Sequence, residues 1–394
     1  MYAWQCLFLF AVPIGAQPPI VNRVESRRLE VYWEPPMQPN GIITLYQLFV
    51  EDVLRFSGTA NTTIIDNLQP FTEYSFFVQA CTDIGCSNST TSTGQTLPDS
   101  PVGLAAPNLT VLSPSSIQAN WDQPDMSNGI ILRFELRRLF GAEMSQFEIE
   151  FSGLGLETTV TGLEPNTLYS FQLFVFNLGG STSSSVVDAL TLEDIPDGII
   201  APDADPINAT AVLVTWSPPS QPNGDIIQYM LYQNGTLVFS GLQLSYTIAN
   251  LQPFTYYSYS VSACTMRGCG SSNQSTDQTF EGVPIGYVQP SAIDATPYSI
   301  TLQLNEVQMP NGIVEYALYY SEESEIPAES GDLVLAFNGS VARRIVVTGL
   351  MPYTNYSFVL EVSNGAGTLM GPPFTLQTDP TGKDDAIECI VYSP

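Results

Sequence analysis

The sequence predicts an all-β chain of four tandem seven-stranded antiparallel β-sandwiches arranged as an extended rod. Three observations carry this expectation: a proline-rich segment that recurs four times, a unit of about 90 to 100 residues, and period-2 alternation of apolar residues between turn signals. A chain of 394 residues is also too long for one core and suits several.

The recurring segment is clearest in Trp33-Glu34-Pro35-Pro36-Met37-Gln38-Pro39-Asn40-Gly41 and Trp216-Ser217-Pro218-Pro219-Ser220-Gln221-Pro222-Asn223-Gly224. Weaker copies run from Trp121 to Asn128-Gly129, and from Leu304, where the tryptophan is missing, to Asn311-Gly312. The Asn-Gly pairs at 40, 128, 223 and 311 are therefore 88, 95 and 88 residues apart. Pro-x-Gly precedes the tryptophan position by 20 residues at Pro13, Pro101, Pro196 and Pro284. Leu-x-Pro-x-x-x-Tyr follows it, ending at Tyr74, Tyr169, Tyr257 and Tyr356.

These markers place divisions at 13–98, 99–193, 194–281 and 282–379. Residues 1–12 form an apolar segment that could serve as a signal remnant cut after Ala16, although a basic leader region is missing. Residues 380–394 read as the opening of a further repeat or a tail. No apolar run is long enough to span a membrane as a helix.

Within a repeat, Val212, Val214 and Trp216 alternate inward on an early strand. The following Pro-Pro ends pairing because proline has no amide to donate, and Asn-Gly tolerates the positive φ of a tight turn. Asn234-Gly235 marks a second hairpin. Beyond the Leu-x-Pro corner, Tyr74, Phe76, Val78 and Ala80 alternate as core-facing positions, as do Tyr257, Tyr259, Val261 and Ala263. Linkers such as Thr96-Leu97-Pro98-Asp99-Ser100-Pro101 are short enough to leave little slack.

Between the first and third repeats every marker moves by 183 residues, from Trp33 to Trp216 and from Cys81 to Cys264. The second and fourth carry Asn177-Leu178-Gly179-Gly180 and Asn364-Gly365-Ala366-Gly367 where the cysteines would stand, as if a two-domain unit had been duplicated. Cys81 with Cys86, and Cys264 with Cys269, have the spacing of a disulfide across a hairpin of the last two strands. Closing so short a loop contributes about 2 kcal/mol. Neither pair has redox Cys-x-x-Cys spacing, and zinc would need more ligands. Cys6 and Cys389 have no partner in this pattern.

Composition excludes several functions. The net charge is -28, from 39 acidic and 11 basic residues, which leaves no basic footprint for nucleic acid and argues against docking on anionic lipid. Histidine is absent, which closes Ser-His-Asp and Cys-His catalysis and His-ligated zinc. No catalytic constellation, cofactor motif or metal site is expected. Arg267-Gly268 is followed by Cys269 rather than the Asp of an integrin motif, and acidic runs such as Glu322-Glu323-Ser324-Glu325, Asp203-Ala204-Asp205 and Asp384-Asp385 read as solvated faces and linkers. Phe56, Phe140 and Phe239 read as hairpin packing. Eight Asn-x-Ser/Thr sequons, at Asn61, Asn88, Asn108, Asn208, Asn234, Asn273, Asn338 and Asn355, accompany the paired cysteines and a single lysine. Together they point to the secretory pathway and an extracellular or cell-surface location.

The tryptophan, the Pro-Pro, the Leu-x-Pro-x-x-x-Tyr corner and the Tyr-x-Phe-x-Val-x-Ala strand together resemble the fibronectin type III domain, an Ig-like sandwich. An immunoglobulin domain proper would need cysteines near Val21 and Phe76, and neither is one. The resemblance implies that Trp33, Trp121, Trp216 and, as the departure from the pattern, Leu304 anchor the cores. It implies that Tyr74, Tyr169, Tyr257 and Tyr356 form tyrosine corners whose phenols bond back to the chain. It further implies that the stapled hairpin loops rigidify a region that some such domains use for binding. The Pro-Asn-Gly and Ala-Cys-Thr-x-x-Gly-Cys details are similar to arrays of large sensory-cell surface proteins. They imply a structural role in fibrous links between stereocilia and around the photoreceptor cilium. The expected function is a non-enzymatic extracellular spacer that presents faces to other extracellular proteins. Neighbouring repeats of a longer chain are possible contacts. The alternative is the ligand-binding ectodomain, or a soluble decoy, of a signalling receptor; an accessory module of a polysaccharide-degrading enzyme lacks any catalytic domain here.

Overall fold

The computed structural model describes residues 11–141, 145–322, 333–341 and 343–382. The expectations on residues 1–10, Glu323 to Glu325, Asp384-Asp385, Cys6 and Cys389 lie outside the described residues. Every regular element described is a strand, and eight sheets pair into four sandwiches.

In the first sandwich β1 (Ile20–Glu25), β2 (Arg28–Tyr32) and β5 (Thr62–Ile65) form one sheet in the order β1-β2-β5. The other sheet runs β4-β3-β6-β7, from β4 (Val53–Gly58), β3 (Leu45–Val50), β6 (Glu73–Cys81) and β7 (Cys86–Asn88). β8 (Ser92–Gln95) also pairs with β6, so the last of the seven strands is broken into two pieces. The second sandwich repeats this as β9 (Asn108–Ser113), β10 (Ser116–Asn120), β11 (Arg133–Phe140), β12 (Gln146–Gly153), β13 (Glu157–Thr161), β14 (Leu168–Asn177), β15 (Gly180–Ser183) and β16 (Val187–Leu190). The third and fourth have the same order over Asp203–Gln278 and Ser291–Gln377.

The core follows the alternation. Leu29 and Val31 of β2 meet Leu48 of β3 and Phe76, Val78 and Ala80 of β6, all buried, with Trp33 closing one end. Full burial of each large apolar side chain is worth about 1.5–3 kcal/mol, so one such layer per sandwich supplies the driving force. Trp33 packs against Phe56 at 5.5 Å, Trp121 against Phe151 at 5.4 Å and Trp216 against Phe239 at 5.7 Å. Phe56 and Phe239 are thus hairpin packing, whereas Phe140 stays exposed.

Leu304 fits for two reasons. The indole nitrogens of Trp33, Trp121 and Trp216 are buried without a hydrogen-bond partner, so leucine forfeits no bond at that place. The proline that the other repeats hold at Pro36, Pro124 and Pro219 is also replaced there by Val307, whose amide is satisfied by the Tyr316 hydroxyl at 3.2 Å. Tyr287 and Tyr320 pack against this fourth core.

Each Leu-x-Pro corner is built the same way. The Tyr74, Tyr169, Tyr257 and Tyr356 hydroxyls accept the amides of Gln69, Glu164, Gln252 and Met351 at 2.8, 2.8, 2.9 and 2.8 Å. The residue after the proline takes a positive φ, at Phe71, Asn166, Phe254 and Tyr353. A buried threonine from the end of the last strand, Thr96, Thr191, Thr279 or Thr378, donates to a corner carbonyl and so ties the end of the sandwich to its middle.

Candidate functional site

Two of the repeating markers meet in space. The middle residue of each Pro-x-Gly forms an isolated antiparallel bridge with the loop before Asn-Gly: Ile14 with Gln38, Val102 with Met126, Asp197 with Gln221 and Ile285 with Met309. The Asn side chain then reaches 28 residues back and donates from Nδ2 to a linker carbonyl. The pairs are Asn40 to Val12 (2.9 Å), Asn128 to Ser100 (2.8 Å), Asn223 to Ile195 (2.8 Å) and Asn311 to Val283 (2.9 Å). These asparagines have φ near 50°, the left-handed region their short polar side chain tolerates. The segment entering each sandwich is therefore held by the sandwich it enters.

The hairpin loop beside it completes the hold in two ways. In the first and third sandwiches Cys81 faces Cys86 and Cys264 faces Cys269 as cross-strand pairs, and each pair is joined as a disulfide. Thr265 Oγ1 donates to the Asp194 carbonyl at 2.9 Å. In the second sandwich Asn177 takes over. Its Nδ2 donates to Asp99 and Ser127 carbonyls, both at 2.7 Å, and its Oδ1 accepts the Gly179 and Gly180 amides at 2.8 and 3.0 Å. Asn364 repeats this with the Gly282 and Pro310 carbonyls and the Ala366 and Gly367 amides. Gly179 is required by close approach: a Cβ there would lie 2.5 to 2.6 Å from the Asp99 backbone. Between the first and second sandwiches Arg27 pairs with Asp99 at 3.4 Å. Between the third and fourth, the Glu281 carboxylate accepts the Ile313 and Gly365 amides at 2.8 Å each.

The outer face of the larger sheet of the second sandwich is the most elaborated surface. Arg133, Glu135 and Arg137 project from β11, and Phe174 and Phe176 from the neighbouring β14, where Arg133 faces Phe176 and Glu135 faces Phe174. The Arg133 guanidinium lies 4.0 Å over the Phe176 ring, and that of Arg137 lies 3.9 Å over Phe174 and 4.3 Å over Phe147 of β12. One carboxylate, Glu135, is nearly buried between them and accepts Arg133 Nε at 2.8 Å and Arg137 Nη2 at 2.6 Å. Burial pushes that carboxyl up, but the hydrogen bonds and charges of Arg137 and Arg133 prevail and hold it below the ordinary carboxylate range. Arg138 turns away to Glu148 and Glu150 and covers Tyr169 at 5.5 Å, bordering a shallow cleft of about 360 Å³ lined also by Leu139, Phe140 and Leu168. In the first and third sandwiches the place of the Arg133–Phe176 pair is taken by Leu45–Cys81 and Gln228–Cys264.

All eight sequon asparagines, Asn61, Asn88, Asn108, Asn208, Asn234, Asn273, Asn338 and Asn355, are exposed. Asn234 sits at its hairpin turn, and its Oδ1 accepts the Ser258 amide. Arg267 lies in the stapled loop beside exposed Met266. Among the described residues no group of three or more Cys, Asp or Glu could hold a metal ion, and no helix is long and apolar enough to cross a membrane. The ladder on β11 was not among the sequence-derived candidates. Its signal was available, since Arg133-Phe134-Glu135-Leu136-Arg137-Arg138 holds three of the few arginines in alternation with core residues. Phe-Ser/Asn-Gly at Phe56, Phe151, Phe239 and Phe337 was a further repeating marker, its ring lying over the glycine.

Comparison with known proteins agrees with this architecture. Human usherin is 30% identical over 391 residues, which cover 95% of this chain and 7% of usherin. Rat phosphatidylinositol phosphatase PTPRQ is 29% identical over 79% of this chain and 14% of its own length, and mouse cell adhesion molecule DSCAML1 is 27% identical over 85% and 18%. The chain thus spans a small fraction of each relative. The fibronectin type III domain matches residues 17–95, 101–189 and 201–279, and the fourth sandwich repeats their strand order, so the chain belongs to the fibronectin type III family as a tandem array similar to that of usherin.

Proposed function

We propose that the chain is a non-enzymatic extracellular spacer with adhesive faces, a role like that of an ectodomain segment of usherin, with domain divisions near 98, 193, 281 and 379. The observation that carries the reading is the joint placement of the sequons and cysteines. Eight acceptor asparagines lie exposed, and two cysteine pairs stand opposed across hairpins, as secretory-pathway chemistry requires. Linkers gripped by the following sandwich suit an element that sets distance. The names of usherin and of the cell adhesion molecule DSCAML1 support the same reading, and stereociliary or photoreceptor links are its most specific form.

The test is secretion of the chain from eukaryotic cells behind a heterologous leader, with peptide mapping and attachment of chain-coated beads to cells. Glycans on several of the eight sequons, bridged cysteines and attachment that denaturation abolishes are expected. A retained, unglycosylated product with free thiols, or beads that bind no cell type, would refute it. The similarity to PTPRQ favours a second reading, the ectodomain of a receptor-like enzyme. A single saturable soluble ligand in place of surface attachment would select it.

A further inference from the structure

We infer that the outer face of the β12-β11-β14-β15 sheet is a docking surface for an extracellular protein segment presenting one carboxylate between apolar side chains. This inference rests on the adhesive reading and names the face and its partner chemistry.

Four observations converge. Arg133 is already oriented: its guanidinium sits over the Phe176 ring and spends Nε on Glu135, while its two terminal nitrogens have no hydrogen-bond partner among the described residues. A planar fork held in this way suits a carboxylate, which it can grip through two parallel bonds. Further along the same face, beside Arg137, Phe147 and Ile149 are 46% and 52% exposed, and aromatic residues with arginine are the composition enriched at protein interfaces.

The charges select an anion. Arg133 and Arg137 share the single carboxylate of Glu135, which leaves that ladder with one uncompensated positive charge in a chain of net charge -28. A polyanion such as a sulfated glycan would meet the repulsion of the whole chain, and so would a second copy. A protein segment with one acidic residue and apolar neighbours meets neither obstacle.

The sequons leave this face open. Asn88 lies on the corresponding sheet of the first sandwich, Asn234 borders that of the third, and Asn338 and Asn355 lie on that of the fourth. The only sequon of the second sandwich, Asn108, lies on β9 in the opposite sheet. The second sandwich is also the one in which Arg133–Phe176 stands where the first and third place a disulfide cysteine.

The experiment displays short random peptides against the full secreted, glycosylated chain and against its Arg133→Gln, Arg133→Lys and Arg267→Gln variants. Melting curves verify that each variant is folded. Enriched peptides are expected to carry Asp or Glu flanked by aromatic or aliphatic residues. A synthetic copy of the best peptide should bind Arg133→Gln at least about tenfold more weakly and Arg133→Lys less well than the parent, with Arg267→Gln unchanged. The inference is overturned by enrichment of peptides without a carboxylate or by binding indifferent to Arg133. It is also overturned by heparin oligosaccharide binding or by self-association that Arg133→Gln abolishes. Bead attachment separates the two readings. Parent beads that attach while peptides ignore Arg133 sink this inference alone, and parent beads that never attach sink the adhesive reading whatever the peptides do.

Discussion

Replacing Asn177 by alanine should loosen the second sandwich at its entry. The side chain is buried and makes four hydrogen bonds, two to the Asp99 and Ser127 carbonyls and two from the Gly179 and Gly180 amides. Each is worth about 1 kcal/mol net, and the turn amides lie near enough to solvent to recover part of theirs from water, so the loss should be about 3 kcal/mol. That corresponds to a rise on the order of 100-fold in the exchange of amides released by opening this end. The amides to watch are those of Asp99 and Val102, which donate to the Asn128 and Met126 carbonyls. Hydrogen exchange read by mass spectrometry on the full chain resolves them from β6 of the first sandwich, which should stay protected. Asn177→Asp should keep the turn, since a carboxylate still accepts the two glycine amides, yet release the linker because it cannot donate to carbonyls. Exchange at Asp99 and Val102 within about twofold of the parent in both variants would refute the assignment of Asn177 as the linker's anchor.

Three further outcomes follow from the packing. The Tyr259 hydroxyl is buried where the other sandwiches have Phe76, Phe171 and Phe358, and its approach to the Gln233 side chain falls short of a full hydrogen bond, so Tyr259→Phe should leave stability unchanged or raise it by about 1 kcal/mol in urea unfolding. Burial pushes that phenol from 10 up to about 12. Its neutral form therefore supports the fold fully below pH 10, that support fades as pH rises toward 12, and the variant should resist alkali better than the parent. Glu135 is shifted the other way: its contribution should be present above the ordinary 4.5 and be lost as pH falls through its lower folded value, and Glu135→Gln should flatten the acid limb of the second sandwich measured by exchange. Reduction of Cys81–Cys86 and Cys264–Cys269 should cost the first and third sandwiches about 2 kcal/mol each in unfolding by exchange, and leave the second and fourth untouched.

Much of the fold was legible because its determinants are local. Alternation along Tyr74, Phe76, Val78 and Ala80 needs only the pleat, and the tyrosine corner spans five residues, so both can be read in a short window. The asparagine of each Asn-Gly pair was legible as a turn residue and illegible as a clamp, since its partner carbonyl lies 28 residues upstream. The equivalence of a disulfide hairpin and an asparagine hairpin was equally hidden. The alternation of cysteine and Asn-Gly loops was plain, but only the positions of Asp99 and Asp194 reveal that Asn177 and Thr265 grip the same stretch of linker.

By itself the sequence determined the number of units, their β class, the aromatic anchors and the exclusion of histidine-based chemistry, because repetition, period-2 patterning and composition are properties of the chain. Tertiary structure alone decided the docking face. Arg133 meets Phe176 and Arg137 meets Phe174 only once β11 and β14 are in register, and a one-residue slip would send these side chains to the opposite face of the sheet. It also decided how Leu304 is accommodated, through a tyrosine hydroxyl brought from a neighbouring strand to the Val307 amide. Interactions across strands depend on register and closure, which no single stretch of residues encodes.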